Sequence, residues 1–428
     1  MKSILWVTVG FWIAMGVLMA LVAEAPAAET LSPARQKMAW AQKQIQKEPG
    51  RFQPYNALAL ALAQRARETG DPQYYVQAEK TLGRSLKLAP DNFEARKIQV
   101  WLLLGRHEFG RALNAAKRLN QRMPDDIMVY AMLADAHVEL GNYADAEAAA
   151  QWMLDLRPGN VPGLTRAAYL RELFGDIDGA VDLMVEAYQR TPGQELEERA
   201  WLLTHIGKLH LSVGKADSAV QLLHKALELF PDYHYALAAL AQVEAERQNH
   251  AAAAQLLRKQ YQLAPHPENL YLWAQALERI GKADEASAAY QKFAAQALLE
   301  SHQPDNANRE LIFYYTDKDH KPAAALRIAQ LEIGRRQDVF TRDALAWAFF
   351  ANADFQEARR HIETALAVGI RDARIFYHAG AIAAKQGDRR AAEEYYRKAN
   401  ELNPNSQWAD AARKATAALR GHKENGRG

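Results

Sequence analysis

Apolar residues recur at intervals of three and four along almost the whole chain beyond residue 28, with polar residues between them. This spacing is typical of amphipathic helices, because residues three and four apart share one face of a helix. No β-hairpin signal, in which two alternating runs flank a short glycine turn, interrupts the pattern. The sequence therefore predicts an all-α fold.

The helical pattern repeats at a fixed interval. Six prolines mark it, with 34 residues between neighbours in each of two groups: Pro90, Pro124, Pro158 and Pro192, then Pro231 and Pro265. An alanine stands twelve residues before each proline: Ala78, Ala112, Ala146, Ala180, Ala219 and Ala253. A constant period of this length indicates stacked helical hairpins, not one compact core.

Two units show the pattern most completely. The first runs from Ile127 to Pro158 and carries Tyr130, Leu133, Ala134, Gly141, Tyr143, Ala146, Ala150 and Pro158. The second is the last unit, with Phe376, Gly380, Gly387, Ala392, Tyr396, Ala399 and Pro404. On these residues the sequence resembles the tetratricopeptide repeat (TPR) family. The resemblance implies an α-α superhelix of about eight to nine helical-hairpin repeats with capping helices.

Small residues have two predicted roles in each unit. Ala134, Gly207 and Gly380 provide space for a large side chain on the neighbouring helix, so that the two helices pack closely. Glycines between the two helices of a unit supply the left-handed backbone conformation that ends the first helix. They are Gly141, Gly175, Gly214, Gly281 and Gly387.

Departures from the period divide the chain. The predicted segments are a signal peptide or membrane anchor (1–28), an N-terminal cap (29–52, with a helix from Pro33 to Lys47), a regular array (53–293), a degenerate repeat (294–338), a C-terminal pair of repeats with a capping helix from Gln407 to Leu419 (339–420), and a disordered tail (421–428). Within the array, a longer connection follows Glu68. The spacing from Pro192 to Pro231 is five residues over the period and contains Glu195, Glu197 and Glu198. Insertions of this kind usually form loops on one face of a solenoid.

The N-terminus predicts export. Lys2 precedes an uncharged run from Ser3 to Ala23, and acidic residues follow it. The run is close to the roughly 20 residues that cross a bilayer, and 25–27 (Ala-Pro-Ala) is also a possible cleavage site. An uncleaved inner-membrane anchor over 4–22 and a cleaved signal both stay open. Either places the body in the cell envelope, periplasmic or extracytoplasmic.

Neither the composition nor any sequence motif indicates a catalytic site. The chain has no cysteine, which excludes disulfides, thiolate zinc sites and thiol catalysis. No metalloprotease, serine-hydrolase, phosphate-loop or dinucleotide motif is present. We therefore predict no cofactor, no metal and no enzymatic activity, and we interpret His205 and His210 as packing residues.

Charge is unevenly distributed although the net charge is only +2. Residues 35–122 contain 17 basic and 7 acidic side chains, whereas 125–198 contain 15 acidic and 4 basic ones. The basic block favours anionic lipid headgroups or an acidic partner, with ordinary solvated helix faces as the alternative. The export signal argues against nucleic acid.

The TPR resemblance also implies a binding surface. In that family the concave groove is lined by the first helix of each pair, and the matching positions here are Asp135, Tyr169, Glu172, Thr204, Lys208, Tyr235, Gln242, Tyr271 and Gln275. Aromatic and polar residues together suit peptide recognition. Tyr169, Lys208 and Gln242 occupy corresponding positions of successive units and are expected to line one strip.

Three functions remain open at this level. The first is a non-catalytic scaffold or adaptor of the bacterial cell envelope, which binds a protein or an extended peptide in its groove. The second is an accessory subunit or cryptic enzyme with a pocket at 294–336, where Asn306, Asn308, Arg309, Glu310, Tyr314 and Tyr315 concentrate polar groups. The third is an organiser on an anionic lipid surface.

Overall fold

The computed structural model describes residues 32–425, with side chains described for 32–420, and this range contains 22 helices and no strand. The helices are α1 (Pro33–Lys47), α2 (Gln53–Thr69), α3 (Gln73–Leu88), α4 (Phe93–Gly105), α5 (Phe109–Arg122), α6 (Ile127–Glu139), α7 (Tyr143–Leu156), α8 (Val161–Leu173), α9 (Ile177–Arg190), α10 (Leu196–Ser212), α11 (Ala216–Leu229), α12 (His234–Glu246), α13 (His250–Leu263), α14 (Pro267–Arg279), α15 (Ala283–Glu300), α16 (Asn308–Asp317), α17 (Pro322–Ile333), α18 (Val339–Ala351), α19 (Phe355–Leu366), α20 (Ala373–Lys385), α21 (Arg389–Leu402) and α22 (Gln407–Asn425). The signal peptide or anchor predicted in 1–28 lies outside the described residues. None of the helices between 32 and 425 is long and apolar enough to cross a membrane.

The helices pack as consecutive hairpins. Helix α1 caps α2, and the next twenty helices of the described chain form ten pairs, from α2–α3 to α20–α21, with α22 packed against α20 and α21. The predicted all-α superhelix is thus confirmed, with ten pairs where about eight to nine repeats were expected. Helix α1 has the predicted bounds. The last helix continues to Asn425, beyond the predicted end of the capping helix at Leu419, and the disordered tail predicted for 421–428 stays a prediction.

Local sequence explains how the helices begin and end. The carboxylate of Asp126 accepts a hydrogen bond from the backbone N–H of Val129 at 3.0 Å, and Asp176 accepts one from Gly179 at 2.9 Å. These bonds satisfy N–H groups that have no partner within the helix. The five predicted turn glycines all have φ between 75° and 83°, as expected for the left-handed region.

The predicted close approaches between paired helices are present. A Cβ atom on Gly380 would lie 2.5 Å from the ring of Tyr396, and one on Gly207 would lie 3.1 Å from Leu223. Each glycine therefore makes room for a large side chain on the second helix of its own pair.

The two predicted insertions form additional helix, not loops. Helix α10 has 17 residues, whereas α8 has 13, and Glu197 lies within its first turn. Around Glu68 the connection is only 70–72, and the excess lies in α2 and α3, which have 17 and 16 residues. Helices absorb the extra residues because elongation satisfies one backbone hydrogen bond for every residue added.

Successive turns of the superhelix contact each other. The backbone N–H of Val339 donates to the Tyr143 hydroxyl at 3.0 Å, across 196 residues of sequence. The Asn403 amide donates to the Leu211 carbonyl at 3.0 Å, across 192 residues. Each later turn of the superhelix therefore rests on an earlier one.

The acidic residues of the second insertion belong to this turn-to-turn contact. Glu195 pairs with Lys37 at 3.2 Å, and Glu197 pairs with Arg67 at 3.1 Å. Glu197 is 2% exposed and also accepts a hydrogen bond from the Tyr233 hydroxyl at 2.8 Å. Part of the basic N-terminal block is thus neutralised within the molecule.

Candidate functional site

Two cavities are lined mainly by the first helices of repeat pairs, and the larger of these has a volume of about 520 Å³. Its wall comes from the first helices of three successive pairs, α10, α12 and α14, with α13 behind them and α22 opposite. The lining includes Trp201, Thr204, His205, Lys208, Tyr235, Gln242, Glu246, Gln275, Arg279, Arg374, Trp408 and Asp410. A volume of this size is in the range of ligand-binding clefts, about 300–1,000 Å³. A separate recess of about 1000 Å³ lies between α21 and α22.

Aromatic and small side chains shape the cavity. The ring of Trp201 stacks on His205, with 5.4 Å between centroids, and Trp408 contributes a second indole from α22. Small side chains, including those of Ala238 and Ala245, also line the cavity and take up little of its volume. Flat apolar surfaces separated by small residues suit the side chains of an extended peptide.

The hydrogen bond between His205 and Glu172 orders one end of the cavity. His205 Nε2 lies 2.8 Å from Glu172 Oε2. Burial opposes ionisation of Glu172, but the hydrogen bond and charge of His205 outweigh burial, and the pKa of this carboxyl is lowered. Glu172 is therefore an anion at neutral pH.

The cavity has an excess of positive charge. Lys208 is exposed, and Arg279 bonds to the side-chain amide of Gln407; among the described residues neither has a carboxylate within 4.0 Å. Asp410, which also lines the cavity, is paired with Arg413. Glu246 is bound by Asn403 at 3.1 Å, and burial raises the pKa of its carboxyl. A peptide with acidic groups would therefore find compensating cations there.

Arg374 does not add to that excess, because a buried carboxylate neutralises it. Its Nε lies 3.1 Å from Asp343 Oδ2, and the other oxygen of Asp343 lies 2.7 Å from His378 Nδ1. Asp343 and His378 are both fully buried. Burial alone would raise the pKa of Asp343, but His378 and Arg374 together lower it.

A smaller cavity of about 250 Å³ is lined mainly by α4, α6 and α8. It is lined by Asp135 and Tyr169, and Asp135 is held by two bonds from Arg166, at 2.9 and 2.6 Å. Burial and the neighbouring Asp338 raise the pKa of Glu139, on the same wall, to about 7.

The predicted groove residues separate into three groups. Thr204, Lys208, Tyr235, Gln242 and Gln275 line the larger cavity, and Asp135 and Tyr169 line the smaller one. Glu172 supports His205 between them. The expected single strip through Tyr169, Lys208 and Gln242 is therefore divided between two cavities, although the Tyr169 and His205 rings approach to 6.4 Å.

Thr204 and Tyr271 are buried, although sequence matching placed both on the groove surface. They are 2% and 5% exposed. The Thr204 hydroxyl donates to the carbonyl of Ala200 at 2.8 Å, and Tyr271 packs on Phe293 with 5.0 Å between centroids. Thr204 therefore borders the larger cavity with almost no exposed surface, whereas Tyr271 lines neither of the two cavities.

Sequence reasoning missed the contributions of α22 and of the aromatic pair. Trp408 follows Gln407 on a helix predicted only as a cap, and nothing in the repeat pattern places that helix opposite α12. Trp201 and His205 stand four apart on α10, so their proximity was predictable. Their position in the cavity was not.

The irregular segment 294–336 lines neither of these cavities, and its polar residues take part in packing instead. Asn308 is fully buried and donates to Glu332 at 2.8 Å, and Glu332 pairs with Arg336 at 2.8 Å. Arg336 in turn reaches His107 at 3.2 Å, one superhelical turn away. In the described part of the chain, no group of three or more His, Asp or Glu could hold a metal ion.

Comparison with known proteins identifies the repeats. Family models described as tetratricopeptide repeat match residues 131–195, 205–266 and 373–406, so the chain contains TPRs in these segments. A comparison with curated proteins finds no match.

Two solved structures share the architecture at a TM-score of 0.50. The chain is similar to one in the crystal structure of the APC/C hetero-tetramer Cut9-Hcn1, at 13% identity and a TM-score of 0.50, over 82% of this chain and 58% of that one. A monomeric IFIT1 mutant with Gppp-AAAA has 14% identity and a TM-score of 0.50, over 86% and 95%. Yeast Tom70 has 15% identity and a TM-score of 0.35, over 86% and 96%. At these identities the first two likenesses show the fold alone.

Proposed function

We propose that this chain is a non-catalytic scaffold of the bacterial cell envelope, which holds an extended segment of a partner protein in the larger cavity. TPR folds generally mediate protein–protein interactions, although fold alone names no partner. The observation that carries the proposal is the cavity of about 520 Å³, which is lined by Trp201 and Trp408.

The chemistry of the wall suggests what the segment contains. The two indoles would take an apolar or aromatic side chain of the partner, and Lys208 and Arg279 would take an adjacent carboxylate. Gln242 and Gln275 can bond to a peptide backbone from the same wall. We therefore infer a segment that combines an aromatic or aliphatic residue with acidic neighbours.

Site-directed photocrosslinking in intact cells tests the proposal. A photoreactive residue at Gln242 is expected to capture a discrete partner, whereas the same residue at Lys225, exposed on α11, is expected not to. Lys208→Glu in the Gln242 photoreactive chain is expected to reduce capture about tenfold, which corresponds to ~1.4 kcal/mol. Lys225→Glu is the matched control, since both lysines are exposed and neither has a carboxylate within 4.0 Å in the described residues. Equal capture by the two charge-reversed chains would refute the cavity as the binding site.

The envelope assignment rests on the sequence of residues 1–28 and is tested separately. Fusion of alkaline phosphatase, which is active only outside the cytoplasm, to the C-terminus is expected to give an active enzyme. An inactive fusion together with an active cytoplasmic reporter at the same position would contradict this location.

A further inference from the structure

The outer face of the first units carries cations that the rest of the molecule does not neutralise. They lie on α1, α3 and α5, and on the start of α4. In the described chain none has a carboxylate within 4.0 Å, and all are exposed: Lys43, Lys47, Lys80, Arg84, Lys87, Arg96, Lys117, Arg118 and Arg122. We call this surface the basic outer face.

Other cations of the basic block, residues 35–122, form ion pairs within the molecule. Lys37 and Arg67 pair across the superhelical turns, and Lys97 pairs with Asp126 at 2.8 Å. The structure thus divides the block into an internal part, which holds the turns together, and an external part, which has no internal partner.

Most acidic residues next to the basic outer face are already paired; the exceptions are Asp91 and Asp125, which are exposed and have no cation within 4.0 Å in the described chain, against nine unpaired cations. Glu48 pairs with Arg51 at 2.9 Å, and Glu79 pairs with Arg106 at 2.6 Å. Glu108, at the start of α5, is bound by Arg106 and Arg111. The field outside α1, α3 and α5 is therefore positive, and salt screens it over about 8–10 Å under ordinary conditions.

Large apolar side chains are interspersed among these cations. Trp40 is 57% exposed, Val76 55%, Met123 51% and Leu88 45%. On α1, Trp40, Lys43 and Lys47 share one face, and on α3 the same holds for Val76, Lys80 and Arg84, since residues three, four or seven apart align. Exposed apolar residues beside cations are the pattern of a surface that rests in the headgroup region of a bilayer.

We propose that the basic outer face docks on a bilayer surface that contains anionic phospholipids. Each cation near such a surface contributes about fivefold to binding, and the apolar residues add contact with the headgroup boundary. The proposal does not depend on the cavity, which is lined by α10, α12, α14 and α22. The uncharged run from Ser3 to Ala23 precedes α1 closely in sequence, so its insertion in a membrane would raise the local concentration of this face.

Because the chain has no cysteine, a single introduced thiol reports the distance of one site from the bilayer. Gln77→Cys places a fluorophore on α3 beside Val76, and Ser218→Cys places one on α11; both positions are exposed. The full-length chain is reconstituted in vesicles that carry an energy acceptor on their headgroups. The vesicles contain phosphatidylcholine alone or phosphatidylcholine with phosphatidylglycerol.

Efficient energy transfer is expected from residue 77 in the anionic vesicles, with a decrease as salt rises, and little transfer from residue 218 in either. Lys80→Gln/Arg84→Gln/Lys87→Gln is expected to shift the docking equilibrium by on the order of 100-fold. The matched control is Lys225→Gln/Arg258→Gln/Lys385→Gln, which removes the same charges from exposed, unpaired positions of the described chain. Circular dichroism of both triple variants checks that each is folded before the transfer is compared.

Two results would overturn the proposal. One is equal transfer from residue 77 in neutral and anionic vesicles. The other is equal loss of transfer in the two triple variants, which would indicate a general charge effect. If residue 77 stays remote from both bilayers while an acidic protein or a nucleic acid protects it from a soluble quencher, the face binds another class of partner and the membrane assignment fails.

Discussion

Gly175→Ala tests whether contact between superhelical turns holds the molecule closed. A Cβ on Gly175 would lie 2.5 Å from the carbonyl oxygen of Gly369, which belongs to the following turn, and contacts below 3.0 Å are essentially never observed. The two turns must therefore separate by at least about 0.5 Å locally, and backbone lies on both sides, so no side chain can rotate away.

A matched variant separates the packing effect of this substitution from its effect on the backbone conformation. Gly175 has φ of 83°, and alanine in this conformation costs ~1–2 kcal/mol. Gly387 has φ of 81° and no atom within 4 Å of its would-be Cβ. Gly387→Ala therefore carries the backbone strain alone. The difference between the two variants measures the turn contact, and overpacking of this kind costs about 1–3 kcal/mol.

Two measurements follow from this comparison. Denaturant unfolding is expected to give a lower free energy of unfolding for Gly175→Ala than for Gly387→Ala, by about 1–3 kcal/mol. Small-angle X-ray scattering is expected to show a larger radius of gyration for Gly175→Ala only, because a superhelix whose turns separate extends along its axis. Equal stability and equal radius in the two variants would show that the turns do not depend on this contact.

Three other changes test local features. Gly380→Leu is expected to destabilise the chain by about 1–3 kcal/mol or more, because the new side chain would clash with the ring of Tyr396. Gly110→Leu is the control and should cost little stability, since no atom lies within 4 Å of a Cβ at that position. Equal melting temperatures for the two variants would contradict the packing of the last unit. His234 is 4% exposed and burial lowers its pKa to about 4, so its contribution to stability is present above pH 6.5 and is lost as pH falls towards 4. His234→Gln should unfold with a weaker pH dependence across that window, and an unchanged dependence would exclude this histidine as the cause. Lys208→Ala should change the unfolding free energy by less than about 0.5 kcal/mol while it weakens partner capture, and a large loss of stability would show that this lysine is structural.

Much of each repeat was predictable because its causes are local. Turn glycines need a left-handed conformation wherever they occur, and Asp126 and Asp176 cap the helices that follow them. The space at Gly380 also follows from the repeat, since the partner ring lies in the same hairpin. Such features involve residues only a few to a few tens of positions apart.

The binding surface was predictable only in part. The groove positions identified the correct helices, and Lys208 and Gln242 do line the larger cavity. Thr204 and Tyr271 are buried because a repeat alignment specifies a position on a helix without the rotation of that helix against its neighbours. The opposite wall, with Trp408, lies more than 150 residues beyond α12 in sequence and has no signature in the period.

Amino-acid sequence alone was sufficient for the helical class, the period and the order of the units, since these depend on short-range backbone and side-chain preferences. The pitch of the superhelix was not accessible in this way. It is the sum of small rotations between neighbouring pairs, and only that sum brings Tyr143 to Val339 and Glu197 to Arg67. For the same reason, the tertiary structure determines which charges are internal and which remain on the outer face.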